Sequence, residues 1–299
     1  MNASSRRIEA QVMPVAPGSL SRGAGLPRRI VCLTDETTET LYRLGEQDRI
    51  AGVSVYAMRP PEARTKPRVS AFKNAHFEKI LALAPDLVLT FSDVQAEIAS
   101  ELIRRGVTVL AFNQRSVQQI LEMIATLSRI VGKEAEGEAL IGELQRGLEA
   151  IAESAKRFPR RPRVYFEEWN DPLITGIEWV EELIEMAGGE PVFPELRKCG
   201  KAQDRVVIAD EVIARDPEVI LASWCGKRVK KNEIKSRAAW GEISAVRNGQ
   251  VYEIPSTCIL QPGPASLTEG VRQIHQVLAH VAGVEVAPGL MPEETIALL

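Results

Sequence analysis

The sequence is poor in aromatic side chains, at 5% of 299 residues. It has only three histidines and four cysteines, Cys32, Cys199, Cys225 and Cys258. No two cysteines stand at Cys-x-x-Cys spacing and none clusters with a histidine, so a structural zinc site is not expected. The lack of a close pair fits a reducing compartment, and Cys32 inside an apolar run reads as a small core residue. No apolar run approaches the roughly 18–20 residues of a membrane helix. The net charge of −3 offers no basic footprint for nucleic acid. Gly-x-Ser-x-Gly, His-Glu-x-x-His, P-loop and Gly-x-Gly-x-x-Gly motifs are missing. Gly188-Gly189 follows a helical pattern rather than a strand and reads as a helix stop. No catalytic residue and no metal ligand is assigned.

Residues 1–28 are rich in Ser, Gly, Pro, Ala and Arg and contain no apolar h-region. They are expected to form a disordered leader. That composition makes the cytoplasm the expected compartment, with the periplasm as the alternative if the true start lies upstream of Met1.

What is present is an internal repeat. Glu78–Leu89 and Asp210–Leu221 match in residue type along most of their length, each a short helix ended at a proline (Pro85, Pro217) and followed by an apolar strand. Two units so far apart are not a short solenoid repeat. They indicate two similar α/β lobes. Around them, apolar strands alternate with helical patterns, the signature of mainly parallel sheets covered by helices. Residues 29–132 are expected to form the N-terminal lobe and 161–282 the C-terminal lobe. Residues 133–160 read as one long linking helix, over about 30 Å in length. Residues 283–299 read as a weakly ordered tail. The fold class is therefore α/β, two Rossmann-like lobes joined by a backbone helix, with a ligand cleft between them.

Several motifs resemble the helical-backbone substrate-binding proteins of ABC importers for cobalamin, haem and ferric siderophores, the cobalamin branch above all. They are Thr38-Glu39-Thr40-Leu41, Gly52-Val53-Ser54-Val55-Tyr56, Pro60-Pro61, Phe77-Glu78-Lys79-Ile80 with Pro85-Asp86-Leu87-Val88, Ala187-Gly188-Gly189 and Pro262-Gly263-Pro264. The similarity covers roughly Arg29 to Ala282. It implies a binding protein rather than an enzyme, with cobalamin or a related corrinoid as bound ligand and an ABC permease dimer as partner. A monomer without membrane insertion is expected. The alternatives are haem, a ferric siderophore or a metal chelate on the same fold, and a cytosolic corrinoid or metabolite enzyme or sensor.

In open parallel sheets, ligands bind outside the carboxyl ends of the strands. The scarce aromatics fall at those ends, where flat apolar faces suit a planar macrocycle. Candidate ligand contacts are Tyr56, Arg59, Phe72 and Phe91 from the first lobe, and Glu168, Trp169, Trp179, Trp224, Cys225 and Gln261 from the second. The resemblance places aromatic contacts at Tyr56, Phe72 and Phe91, with Phe in place of Trp at two of them. An aromatic at a strand end is as often core packing under a loop. The resemblance also implies permease docking by Glu78 and by Asp210 with adjacent Glu211. The helix dipole explains the same acids without a partner, since they open helices. Glu167, Glu168 and Asp171 form an acidic group that reads as a solvated loop, and His76 as a surface side chain.

Overall fold

The structure is a computed structural model that describes residues 25–294 and 296. The leader assigned to residues 1–28 falls mostly outside the described residues, as do positions 295 and 297–299 of the tail.

The first sheet is built from β1 (Ile30–Cys32), followed by α1 (Asp35–Arg43), β2 (Ile50–Ser54), β3 (Arg68–Ser70), α2 (Phe77–Ala82), β4 (Leu87–Phe91), α3 (Ala96–Arg104) and β5 (Val109–Phe112). Its strands run parallel in the order β3-β2-β1-β4-β5. β1 and β4 are buried along their whole length, which is why they read as unbroken apolar runs rather than alternating ones.

Two long helices follow, α4 (Val117–Ile130) and α5 (Glu134–Ala155). The Ser116 hydroxyl accepts the Gln119 N–H at 3.2 Å and so caps α4. Leu140, Leu144, Leu148 and Ile151 place a buried stripe on α5 at helical spacing. Gly137 permits the close approach of α5 to α4, since a Cβ there would lie 2.4 Å from the Ser128 Cβ.

The second lobe comprises β6 (Arg163–Asn170), β7 (Leu173–Thr175), α6 (Glu178–Met186), β8 (Glu190–Pro191), α7 (Ala209–Arg215), β9 (Val219–Ala222), α8 (Lys231–Lys235), α9 (Ser244–Arg247), β10 (Val251–Glu253), α10 (Ser256–Ile259) and α11 (Val271–Ala282). Its sheet order is β10-β9-β6-β7, with β8 beside the start of β6. The β6–β7 pair is antiparallel and the other pairs are parallel. β6 thus runs on to Asn170 and turns back as a hairpin. The final helix begins with a π-helical turn at Ser266–Gly270.

The repeat is visible in the backbone. Ala84 before Pro85 and Asp216 before Pro217 both take left-handed conformations, φ 43° and 39°. Each ends its helix just ahead of the strand.

One apolar cluster is continuous across the molecule. It runs from Ile30 and Leu89 through Ile124 of α4, Leu144 of α5, Leu183 of α6 and Ile274 of α11 to Phe166 and Leu221 in the second sheet. His275, buried on α11, ties the same helices together. Its ring contacts the Ala187 carbonyl at 2.9 Å and the Ser154 hydroxyl at 3.0 Å, and burial pulls its pKa down. Both lobes thus share a core, beyond what the connecting helix alone would provide.

Candidate functional site

Between the carboxyl ends of the two sheets lies a cleft of about 750 Å³, within the usual range of small-molecule sites. Tyr56, Phe72 and Phe91 line it from the first lobe. Tyr56 follows β2 and is 37% exposed, unusual for a ring at a strand end. Phe91 ends β4 and is buried beneath Arg115, whose guanidinium carbon stands 5.2 Å from the ring centroid. Arg115 also pairs with Asp93 at 3.0 Å, and burial lowers its pKa.

Trp169, Trp179, Glu168 and Cys225 line the cleft from the second lobe. The β6–β7 hairpin carries Trp169, whose N–H donates to the Asp171 carbonyl at 3.0 Å while the Lys227 ammonium sits 4.4 Å from its ring centroid. Trp179 is buried, with its N–H donated to the Ile259 carbonyl at 2.9 Å, so it offers an edge of wall rather than a free face. Glu168 is held by Arg205 through two hydrogen bonds. The Cys225 thiol is raised in pKa, by burial first and by Glu168 next.

Beside this cleft, sharing Tyr56, Phe72 and Cys225 as walls, is a smaller chamber of about 50 Å³ that Gln261 lines. The segment Pro262–Ala265 closes the lobes together here. The Gln114 amide donates to the Pro262 carbonyl at 3.0 Å, and the Ala265 N–H donates to Glu39 at 3.0 Å. Gly263 lies so close to α1 that a Cβ would stand 2.6 Å from the Glu36 Cβ and 3.0 Å from its Cα. Glu36 accepts the Thr34 hydroxyl at 2.6 Å, yet burial pushes its pKa up to about 7.

The other candidates lie elsewhere. Trp224 is turned into the second-lobe core, 2% exposed, with its N–H donated to Glu167 at 3.1 Å. The structure therefore does not bring Trp224 into the cleft, because burying its ring inside the lobe satisfies both its apolar area and its polar atom. Arg59 faces Glu39 at 3.7 Å and does not line the cleft. Glu78 is exposed on α2 and pairs with Arg105 at 2.7 Å. Asp210 and Glu211 are exposed in the first turn of α7. The acidic group is dispersed into ion pairs, Glu167 with Arg237 at 2.5 Å and Glu168 with Arg205 at 2.6 Å. Glu167 is fully buried and is not part of a solvated loop. His76 is exposed. Among the described residues no group of three or more His, Cys, Asp or Glu is arranged to hold a metal ion, and no helix is long and apolar enough to cross a membrane.

Sequence reasoning missed Arg115 and Arg205, which line the cleft. Arg115 directly follows Asn113-Gln114 at the end of β5, a strand-end position that was a usable signal. Arg205 ends a single 3-10 turn, Ala202–Arg205, and is held at the wall by Glu168 and by the Thr175 carbonyl.

Residues 30–258 match the family described as periplasmic binding protein. A vitamin B12-binding protein of Vibrio campbellii is 28% identical over 85% of this chain and 91% of its own length. An uncharacterized ABC transporter substrate-binding lipoprotein of Bacillus subtilis is 28% identical over 83% of this chain and 79% of its own length. Among solved structures, the periplasmic vitamin B12-binding protein of Vibrio cholerae superposes with a TM-score of 0.68 at 24% identity, covering 85% of this chain and 98% of that one. A periplasmic haem-binding protein of Roseiflexus gives 0.75 at 21% identity, covering 85% and 99%. At these identities the structural matches establish the two-lobed fold.

These relatives overturn the cytoplasmic placement expected above. They are lipoprotein or periplasmic proteins. The expectation drew on the composition of one terminal segment, whereas the kinship to binding proteins outside the cytoplasm runs through most of the chain.

Proposed function

This chain belongs to the periplasmic binding protein family, and we propose that it is the substrate-binding subunit of an ABC importer and captures a corrinoid of the cobalamin type between its lobes. The observation that carries this is the cleft of about 750 Å³ walled by Tyr56 and Phe72 on one side and Trp169 on the other. In a chain so poor in aromatics, rings from both lobes at one opening supply the flat apolar faces a macrocycle needs. The kinship to vitamin B12-binding proteins over most of the chain supports the same ligand class. Phe91, Glu168, Trp179 and Cys225 complete the wall. Glu78 on the first lobe and Asp210 with Glu211 on the second would meet the permease, steering the encounter more than setting its affinity. On this reading residues 29–132 and 161–282 are the two halves of the site and 133–160 the strut between them. The protein carries out no covalent chemistry.

A second reading, haem, is favoured by Arg115 and Arg205 on the cleft wall, since guanidinium groups suit carboxylates. Isothermal titration with cyanocobalamin and with haemin, on the parent protein and on Tyr56→Ala and Trp169→Ala, separates the two. One-to-one binding of cyanocobalamin, weakened about tenfold or more by each change, is the expected result. No heat and no thermal stabilisation with cyanocobalamin would reject the corrinoid, and binding of haemin alone would move the assignment to haem.

A further inference from the structure

The small chamber contains an acid that no described residue meets with a hydrogen bond. Asp35, the first residue of α1, is 7% exposed and lines the chamber. Neither of its carboxyl oxygens has a hydrogen-bond partner among the described residues. Glu181, buried away from the chamber, also has one unpaired oxygen, but the acids packed around the chamber and its closing segment are met. Glu36 takes the Thr34 hydroxyl, Glu39 the Ala265 N–H, and Glu269 the N–H groups of Glu293 and Glu294. A buried polar group left unpaired destabilises a fold, so its retention at the meeting of the lobes points to a partner that arrives from outside.

The rest of the lining says what kind. Apart from Gly226 and the walls Tyr56, Phe72 and Cys225 that it shares with the cleft, the rest is Thr34 and Ser54 from the first lobe and Ser256, Thr257 and Gln261 from the second, all uncharged and polar. Glu36 and Glu39 stand on the same helix behind Asp35 and push its pKa up, after burial itself. The nearby Ser54 hydroxyl acts in the opposite direction, by less than burial and Glu36 but by more than Glu39. Three carboxyls stand within one and a half turns and no Lys or Arg lines the chamber, so an incoming carboxylate would find no cation there, whereas a hydrogen-bond donor finds an acceptor. The chamber's volume of about 50 Å³ exceeds the roughly 30 Å³ that a water occupies in the liquid, leaving room for a group of a few heavy atoms.

We propose that Asp35 is a specificity-determining residue of the binding site, whose carboxyl receives a nitrogen donor of the ligand, a peripheral carboxamide, in the chamber between the lobes. This rests on the corrinoid reading. A cobalamin rim carries primary carboxamides, whereas haem presents carboxylates, so the chamber favours the first class and rejects the second. A neutral carboxylic acid both donates and accepts, and it meets a primary amide through two hydrogen bonds.

The test is isothermal titration of the full chain with cyanocobalamin, comparing the parent with Asp35→Ala and Asp35→Asn, alongside thermal unfolding of each without ligand. Asp35→Ala is expected to weaken binding about tenfold. Asp35→Asn, which keeps a donor and an acceptor in place, is expected to stay within about threefold. Neither unliganded variant should melt below the parent, because the change removes an unpaired buried acid. Equal affinity in all three proteins overturns the inference and leaves the corrinoid reading intact. Weaker binding by both variants, together with lower melting temperatures, makes Asp35 structural and also overturns it. A parent protein that takes up no cyanocobalamin rejects the corrinoid reading and the inference with it.

Discussion

Arg205 closes on both oxygens of Glu168, at 2.6 and 3.1 Å, and this fork fixes the wall of the cleft from which Trp169 projects. Arg205 is 1% exposed and also donates to the Thr175 carbonyl. Removing Glu168 would strand a buried positive charge. Glu168→Ala is expected to destabilise the fold by about 3 kcal/mol or more, read as a lowered urea midpoint. Arg205→Met, which replaces the charge with apolar bulk, is expected to cost less. Equal losses in the two variants would show that the pair is not what holds this wall.

Stability should fall as pH rises through neutrality. Burial raises Glu36 from 4.5 to about 7 and Glu181 from 4.5 to about 8. The folded state therefore keeps protons that the unfolded chain has already released. The stabilisation is complete below about pH 4.5 for these groups and is lost between there and about pH 8. Stability read from urea midpoints between pH 5 and pH 8.5 should decline, on the order of 3 kcal/mol for each group. Glu181→Gln, neutral at every pH, should flatten part of the slope. An unchanged slope in that variant would assign the decline to other groups.

Gly263 sets the spacing between the lobes at the chamber. An added Cβ meets the Glu36 backbone, which cannot swing aside as a side-chain tip would. Gly263→Ala is expected to cost about 1–3 kcal/mol and to weaken ligand binding, measured by thermal melting and titration together. A variant as stable as the parent would mean that the Pro262–Ala265 segment yields readily.

Cys225 offers a reporter of occupancy. It is exposed and lines both the cleft and the chamber, whereas Cys32 and Cys258 are buried. Maleimide labelling should be slow at pH 7, because the thiol pKa is raised. It should quicken toward pH 9 and be blocked by bound ligand. Cys225→Ser should abolish the protected fraction and leave only reaction at half-buried Cys199. Labelling at Cys225 that ignores ligand would place the ligand away from that wall.

The alternation of strands and helices, and the doubled helix–proline–strand unit, were legible because they depend on local rules: apolar runs for strands buried on both faces, and proline to end a helix. The hairpin of β6 and β7 was not, because Glu167 to Asn170 is polar and becomes strand only through antiparallel pairing with Leu173–Thr175. Side-chain direction was harder. Tyr56 and Trp224 both follow a buried strand, yet one ring faces the opening and the other packs inward against its lobe. What decides between them is a distant partner, Glu167 with Arg237 behind it, which no local pattern announces. Arg205 was overlooked for the same reason, since its partners Glu168 and Thr175 stand far from it in the chain.

The apolar cluster that passes from one sheet to the other has a calorimetric consequence. Two halves with separate interiors would melt as two events, and a ligand would shift them unequally. With Leu144, Leu183 and Ile274 belonging to both, the described body should unfold in a single endotherm. A bound molecule should then delay the loss of every part of that body as much as that of the cleft itself, by an amount set only by its concentration relative to its dissociation constant.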